Sequence, residues 1–234
     1  QQQRIVSVLD KCQRLIQYRQ SQIAALDELT QSIFLEMFEG KEYDEVPLSV
    51  GVKGIVTGKS LAGDSPSQYK VINTSAVSYK EFLPEKSKYL PIDYIPPRNH
   101  LICKGDVLVS RMNTSELVGA AAYVFDDIEN LALPDRIWRL EIDNSRLNSI
   151  YTWYFINQQK FRDSVTRISS GTSGSMKNIS QQKYLALLIK IPPLELQNEF
   201  ENKLISIRNK KKQLQYSKGE MQELYHSLLQ KAFK

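Results

Sequence analysis

The fold of this chain is decided by its first 39 residues, QQQRIVSVLDKCQRLIQYRQSQIAALDELTQSIFLEMFE (1–39), because a second version of this segment occurs at the other end. Adding 195 to each residue number reaches, without a gap, the counterpart in the segment 195–234. Most of the other matched positions carry an apolar residue in both segments. The repeat predicts two equivalent helices on either side of one central domain. Identical pairs include Gln2 and Gln197, Leu9 and Leu204, Gln20 and Gln215, Glu28 and Glu223, Leu29 and Leu224, Ser32 and Ser227, and Phe38 and Phe233.

Both copies also carry a seam of residues at alternating spacings of four and three, and eight of its ten positions are apolar in each copy. A period of 3.5 residues makes helices supercoil around each other. An antiparallel pair requires the central domain to span little distance, whereas a parallel pair requires it to cross about 55 Å. We therefore predict an antiparallel coiled coil. The seam residues are Ile5, Leu9, Cys12, Ile16, Arg19, Ile23, Leu26, Thr30, Ile33 and Met37, and then Phe200, Leu204, Ile207, Lys211, Leu214, Lys218, Met221, Tyr225, Leu228 and Ala232.

The composition is that of an ordinary globular protein, with 234 residues of which 41% are hydrophobic and 24% charged. This length can bury a substantial core. No apolar run approaches the roughly 18 residues of a membrane span, and the polar N-terminus does not resemble a signal peptide. We expect a cytoplasmic protein without membrane contact. Cys12 and Cys103 lie far apart and form no CxxC motif, which indicates neither a disulfide nor a zinc site.

Proline and glycine separate the helical ends from the centre. All nine prolines lie between Pro47 and Pro193. Gly40 predicts the end of the first helix, and Pro192-Pro193 predicts an extended approach to the second. We therefore divide the chain into a coiled-coil helix at 1–40, a central domain at 41–190 and a second coiled-coil helix at 191–234.

The central domain shows the pattern of strands with long loops. Alternation predicts strands at 46–57, 69–72, 106–112, 117–125, 136–142 and 185–191. Apolar spacing from Arg146 to about Ile168 predicts one amphipathic helix. The predicted fold class is α+β, with one mixed α/β domain flanked by two long helices that pair as an antiparallel coiled coil.

Sequence patterns typical of enzymes are missing. The chain has two histidines, and His226 lies on the second predicted helix, so almost no residues are available for a His-based triad or a zinc site. No GxxxxGK[ST] phosphate loop occurs. The acidic-x-Lys triplet downstream of Pro134-Asp135, Glu201-Asn202-Lys203, lies on the coiled-coil helix, which is the wrong setting for a nuclease. We predict a chain that is not catalytic by itself and uses no cofactor or metal.

Positive charge is concentrated in one part of the central domain. The formal net charge is +5, and residues 144–190 hold seven basic residues and one acidic residue. Such a stretch either faces phosphate or is an ordinary solvated surface. It includes the loop 169–178, in which small residues allow close approach to phosphate, while Lys177 and Asn178 add a charge and an amide that can read a base. The same loop can also be a flexible surface segment.

Two further polar segments lie at strand ends, at 73–75 and 111–114. Arg and Asn read guanine and adenine edges bidentately, but they are also common turn residues. Tyr69, Tyr79 and Trp138 can stack on bases, although aromatic residues at strand positions more often belong to a core.

Taken together, these features resemble the specificity (S) subunits of Type I restriction-modification systems. The first helix is similar to the central conserved region of that family, and the segments 191–197 and 227–233 are similar to its C-terminal conserved region. The segment 104–111, and the Gly171-Thr172 loop followed by Ile179-Ser180, resemble features of the target recognition domains of the family. The resemblance covers essentially the whole chain.

The resemblance implies a subunit that reads double-stranded DNA and has no catalysis of its own. In that family, two target recognition domains each read half of a split target, and the conserved helices form an antiparallel spacer. The helices also dock methyltransferase (M) subunits, and a restriction (R) subunit joins through the complex. On this basis we predict DNA contacts from Lys59, Tyr69, Asn73, Thr74, Arg111, Asn113, Arg167, Thr172, Ser173, Lys177 and Asn178.

The chain departs from the family pattern because it contains one recognition domain instead of two. It is expected to be either the C-terminal part of a full subunit or a naturally short one. A homodimer formed through the helices restores two domains and gives a symmetric split target.

A different class of function also fits the sequence, namely a coiled-coil scaffold whose globular insert binds a protein partner. The long helices are the strongest pattern in the chain and the net charge is modest, as a scaffold requires. A third alternative, a recognition region from a fused methyltransferase-nuclease chain, differs only in what precedes Gln1.

Overall fold

The computed structural model describes residues 2–77, 81–171 and 176–232. They form two compact units, one from Gln1–Lys41 with Asn198–Lys234 and the other from Glu42–Gln197. The helices are α1 (Gln2–Phe38), α2 (Ser149–Ile156), α3 (Gln159–Ile168), α4 (Gln181–Leu185) and α5 (Leu194–Ala232). The strands are β1 (Glu45–Pro47), β2 (Val52–Val56), β3 (Lys70–Ile72), β4 (Ser87–Tyr89), β5 (Val107–Ser110), β6 (Met112–Asn113), β7 (Ala121–Tyr123), β8 (Leu131–Ala132), β9 (Ile137–Ile142), β10 (Lys177–Asn178) and β11 (Leu188–Lys190).

The first unit is an antiparallel pair of α1 and α5, as the sequence predicts. The Lys211 ammonium donates to both carboxylate oxygens of Asp27, at 2.7 and 3.0 Å. One heptad further along α5, the Lys218 ammonium donates to the amide oxygen of Gln20 at 2.5 Å. Residue numbers of the contacts fall along α1 as they rise along α5, so the helices run in opposite directions. Two lysines of the seam therefore reach polar partners beside it.

An aromatic cluster lies at the end of the helix pair where α1 ends and α5 begins. The Phe200 ring lies 5.4 Å from that of Phe34 and 5.6 Å from that of Phe38, both in edge-to-face geometry. Phe34 and Phe38 are buried, whereas the predicted seam residue Ile33 is only half-buried. Met37, the next predicted seam residue, stays buried, so Phe34 and Phe38 add to the seam here while Ile33 is left at its margin. Large rings fill the space around Phe200 better than Ile33 does.

The described residues of the second unit form four small sheets. The largest is antiparallel, in the order β2-β9-β5-β7, and a second sheet has the order β4-β3-β8. Two antiparallel pairs complete the unit: β1 with β11, and β6 with β10. Most of these strands have two to four residues, because hydrogen-bonded turns interrupt the chain. The mixed α/β architecture of the predicted fold class is confirmed.

The core of this unit joins the main sheet to α3 and α4. Trp138 of β9 and Tyr184 of α4 are fully buried, with ring centroids 5.6 Å apart. Phe161 of α3 packs edge-to-face on Tyr184 at 6.0 Å. Trp138, one of the aromatic residues considered for base stacking, is therefore a core residue. Tyr79 lies outside the described residues.

The single helix predicted at 146–168 is wrong, because α2 and α3 are separate. Asn157 ends α2, and its side-chain amide exchanges two hydrogen bonds with the backbone of Ala121 in β7, at 3.2 and 3.0 Å. Gln158 is extended and starts α3. The helical periodicity continues across the break, so the apolar pattern alone cannot reveal it. Similarly, the predicted strand at 46–57 is divided by a 3₁₀ turn at Leu48–Val50.

Among the residues that the structure describes, no helix combines the length and apolar character needed to cross a membrane.

Candidate nucleic-acid interface

The pairing of β6 with β10 brings together segments that are far apart in the sequence. Lys177 lies opposite Asn113, and Asn178 lies opposite Met112. On its other side Asn178 exchanges two backbone hydrogen bonds of 2.9 Å with Ser170. The start of the 169–178 loop, its end and the 111–113 segment therefore form one small surface.

Arg111 and Asn178 are in direct contact on this surface. The Nε group of Arg111 donates to the side-chain oxygen of Asn178 at 3.2 Å, and both side chains are half-buried. Within the described part of the chain, neither the two terminal nitrogens of Arg111 nor the amide nitrogen of Asn178 has a hydrogen-bond partner. The pair thus presents several unused donors, which suit the acceptor atoms of a base edge or a phosphate.

The backbone of Arg111 is held from two directions. Its N–H donates to the carbonyl of Arg136 at 2.9 Å, and its carbonyl accepts from the N–H of Ile179 at 3.2 Å. Arg136 is exposed and directly precedes β9, so a second arginine lies next to Arg111 along the backbone. Sequence reasoning did not single out Arg136, because its proximity to Arg111 depends on the pairing of β5 with β9.

Asn113 and Lys177 are already engaged within the protein. Asn113 is only 9% exposed, and its amide donates to the Ser110 hydroxyl at 3.1 Å and accepts from the Thr114 N–H at 2.9 Å. The half-buried Lys177 donates from its ammonium to the carbonyl of Gly171 at 2.8 Å. Asn113 therefore shapes the turn that follows it, whereas Lys177 supplies positive charge close to the loop. Thr172 and Ser173, also predicted as DNA contacts, lie outside the described residues.

Arg167 lies close in sequence to the same surface. It is exposed on the last turn of α3 and donates to the Ser164 hydroxyl at 2.9 Å. The chain continues from this helix through Ser169 to Ser170, which pairs with Asn178. A cation at this position can approach a phosphate beside the loop.

The other predicted contacts belong to β3 and its surroundings. Asn73 and Thr74 begin a 3₁₀ turn directly after β3, and the Asn73 side chain is exposed and makes no capping hydrogen bond. The exposed Lys59 ammonium lies 5.9 Å from the centroid of the Tyr94 ring, within cation–π range. Tyr69 is half-buried against Val71, Leu90 and Ala132, so its ring contributes to the core.

Besides Lys177, two more of the seven basic residues in 144–190 are already used by the fold. Arg162 is only 9% exposed and donates to the carbonyls of Val118 and Glu116, at 2.5 and 2.6 Å. Burial lowers the pKa of its guanidinium. The Lys190 ammonium lies 4.0 Å from a carboxylate oxygen of Glu45. Arg162 is therefore neither a solvated surface residue nor available to a phosphate, whereas the two interpretations stay open for the exposed basic residues of the stretch.

The segment 104–111 contains a structural carboxylate, that of Asp106, just before β5. Asp106 accepts a hydrogen bond from the Cys103 N–H at 2.8 Å and lies 3.6 Å from the guanidinium of Arg139. Burial raises the pKa of Asp106, although the Cys103 N–H and Arg139 act in the opposite direction. Arg139 also donates to the carbonyls of Leu101 and Asn99. This network fixes the turn that leads into β5 and so to Arg111. The described residues contain no group of three or more His, Cys, Asp or Glu side chains that could hold a metal ion.

In fold, the chain is similar to the specificity subunits of Type I restriction-modification systems. The match to the HsdS subunit from Thermoanaerobacter tengcongensis covers 98% of this chain and 56% of that subunit, with a TM-score of 0.55 and 15% identity. For the S subunit from M. genitalium the coverage is 97% and 59%, the TM-score 0.61 and the identity 12%. A third match is to a chain in a structure that concerns the complex assembly and conformational transition of the type I R-M system. It covers 99% of this chain and 57% of that chain, with a TM-score of 0.62 and 15% identity.

In sequence, the chain is 27% identical to the EcoEI specificity subunit of Escherichia coli over 135 residues, which are 57% of this chain and 23% of that protein. No protein-family model matches the chain. The chain spans little more than half the length of the solved specificity subunits. The resemblance to Type I specificity subunits and the predicted fold are confirmed.

Proposed function

We propose that this chain is a sequence-specific DNA-recognition subunit of a Type I restriction-modification complex. The observation that carries the proposal is the fold, which follows that of specificity subunits along nearly the whole chain. The surface around Arg111 and Asn178 supports it, because unused guanidinium and amide donors are the groups that read base edges.

The central domain reads one half of a bipartite target in this proposal. Base choice comes from the Arg111 and Asn178 surface and from the segment around Lys59, Asn73 and Thr74. Affinity comes from contacts between phosphates and the exposed cations, among them Arg136, Arg167 and Lys183. Phosphate contacts position a protein on the duplex, whereas base contacts give it specificity.

The long helices serve as the spacer and as the docking surface. They bind the methyltransferase subunits, and the restriction subunit joins through the resulting complex. Two copies that associate through these helices place two recognition domains on one duplex, and the target of such a homodimer is symmetric.

The proposed subunit is non-catalytic and needs no cofactor. Methyl transfer and DNA cleavage then belong to the methyltransferase and restriction subunits, and the complex acts on DNA in the cytoplasm. The alternative function, a coiled-coil scaffold whose insert binds a protein, is not favoured, because the similar proteins are specificity subunits.

Selection of bound duplexes from a randomised DNA pool tests the proposal, with the chain alone and with the methyltransferase subunit of the same system. One fixed block of bases indicates a half-reader, and two mirrored blocks indicate a homodimer. A chain that enriches no motif under either condition is not a DNA-recognition subunit.

A further inference from the structure

The turn that follows β6 presents three consecutive exposed residues, Thr114, Ser115 and Glu116. Its backbone is closed by the N–H groups of Leu117 and Val118, which donate to the Thr114 carbonyl at 3.1 and 2.8 Å. This turn, residues 114–118, comes directly after the strand that pairs with Lys177 and Asn178. It therefore continues directly from the strand that forms the surface of the Arg111 and Asn178 pair.

The 114–118 turn is anchored at both ends. At its start, Asn113 binds the Thr114 N–H and the Ser110 hydroxyl. At its end, the buried guanidinium of Arg162 donates one hydrogen bond to the Glu116 carbonyl and one to the Val118 carbonyl. A charged donor binds a carbonyl more strongly than a neutral one does. The backbone of Glu116 is therefore fixed against α3.

Gly119 shows how closely α3 approaches the turn. It has a φ of +73°, and a Cβ added there would lie 2.4 Å from the Cγ1 of Val165 and 3.1 Å from an Arg162 nitrogen. A side chain at this position would force α3 and the turn apart. The backbone at Gly119 thus packs closely against α3. Such packing makes the turn rigid, as a segment that contacts bases must be.

The Glu116 carboxylate has no role in this anchoring. It is exposed, and within the described residues it takes part in no hydrogen bond or ion pair. Near DNA, a carboxylate is repelled by phosphates, so it cannot contribute to general affinity. Its useful chemistry at a base edge is to accept a hydrogen bond from an amino group, and the cytosine N4 amino group is the donor that Glu reads.

We propose that Glu116 is a specificity-determining residue that selects cytosine at one position of the target, and that Arg162 is the positioning residue that holds it. The inference rests on the proposed DNA-recognition function and adds an acceptor to a surface that otherwise offers donors. The carboxylate favours cytosine by its hydrogen bond and disfavours bases that present only acceptors at the same place.

The test compares the wild-type chain with Glu116→Ala and Glu116→Gln, each selected against a randomised duplex pool and then measured by competition with single-base variants of the selected site. Glu116→Ala is expected to lower the preference for cytosine at one position from about tenfold to near unity, with the other positions unchanged. Glu116→Gln is expected to shift that position toward adenine, the base that Gln reads. Glu129→Gln removes the same charge from an exposed site before β8 and is expected to leave the motif unchanged.

An unchanged motif in both Glu116 variants overturns the inference, as does an affinity change by one common factor on every sequence, which indicates phosphate repulsion only. These results are distinct from failure of the proposed function, in which the wild-type chain itself enriches no motif.

Arg162→Met and Arg162→Lys test the positioning role, with folding monitored by circular dichroism. Arg162→Met is expected to lower the preference for cytosine at the same target position as Glu116→Ala. The double variant is expected to show no greater loss of that preference than either single variant. Arg162→Lys retains a charged donor and is expected to recover part of the preference. Loss spread evenly over all positions indicates a purely structural role and contradicts the assignment. If Arg162→Met does not fold, the Glu116 variants and Arg162→Lys still decide the matter.

Discussion

The guanidinium of Arg111 and the side-chain amide of Asn178 meet at 3.2 Å, although 67 positions separate them in the sequence. The contact uses the Nε donor of the arginine and the oxygen of the asparagine. It orients the guanidinium plane and leaves nitrogen donors of both side chains unused within the described residues. Preorganised donors of this kind lose little conformational entropy when they bind an acceptor.

Arg111→Ala is expected to cost about 1–3 kcal/mol of binding free energy at one base position of the target. The reason is that a bidentate contact to a guanine edge is lost and the other positions retain theirs. Competition between the selected duplex and its single-base variants measures the effect. Arg111→Lys is the matched control, because it keeps the charge but loses the planar fork, and so should keep the salt dependence while it loses the base preference. Equal losses on every duplex would instead assign Arg111 to phosphate positioning.

Asn178→Ala is expected to cost about 1–3 kcal/mol at one base position as well. Because the two side chains touch, the effects of Arg111→Ala and Asn178→Ala should not add. A double-mutant cycle on the selected duplex should give a coupling energy of about 0.5–3 kcal/mol. Strict additivity of the two substitutions would show that the contact has no part in recognition.

The sequence predicts the helix pair well, and the reason is physical. A 3.5-residue period over ten positions in both copies is a long pattern, and it identifies the helices, their pairing and, through the linking domain, their direction. The burial of Phe34 in place of Ile33 where α1 ends cannot be predicted from this pattern, because it depends on how the rings of Phe34 and Phe38 pack around Phe200.

The central domain is less predictable, because its decisive contacts are short and distant in sequence. The β6 and β10 strands have two residues each, too few to show alternation, yet their pairing creates the Arg111 and Asn178 contact. Arg162 looks like a surface cation in the sequence, although α3 buries it against two carbonyls. Asn157 interrupts a helical pattern because it binds the backbone of Ala121.

The ion pair of Lys211 and Asp27 is expected to contribute modestly to pairing of the long helices. Asp27 is 61% exposed, so solvent screening limits the stabilisation to about 0.2–1 kcal/mol. Asp27→Lys should lower the free energy of unfolding by about that amount, since it sets two cations opposite each other. Combining it with Lys211→Glu should restore the loss. Urea unfolding followed by circular dichroism measures both variants, and a double variant no more stable than Asp27→Lys would exclude a direct interaction.

Gln197 is expected to be a strong determinant of stability in the Glu42–Gln197 unit. Its fully buried amide accepts from the Asn148 N–H at 2.8 Å and donates to the carbonyls of Arg146 and Pro192, at 3.1 and 2.7 Å. Gln197→Ala leaves these backbone groups without their partner and should lower the free energy of unfolding by about 1–3 kcal/mol.

Gln213→Ala, at an exposed position of the same helix, is the matched control and should change the free energy of unfolding by less than about 0.5 kcal/mol. Chemical unfolding gives both values. Equal effects of the two substitutions would mean that the Gln197 hydrogen bonds are not maintained in solution.

Sequence-specific DNA binding is tested most directly by the ratio of two affinities of the full chain. Equilibrium binding is measured for the selected duplex and for a scrambled duplex of the same composition, over a series of salt concentrations. We expect the selected duplex to bind about a thousandfold more tightly at physiological salt, and both affinities to fall as salt rises. Equal affinity for the two duplexes at every salt concentration would contradict sequence recognition, even where binding is tight.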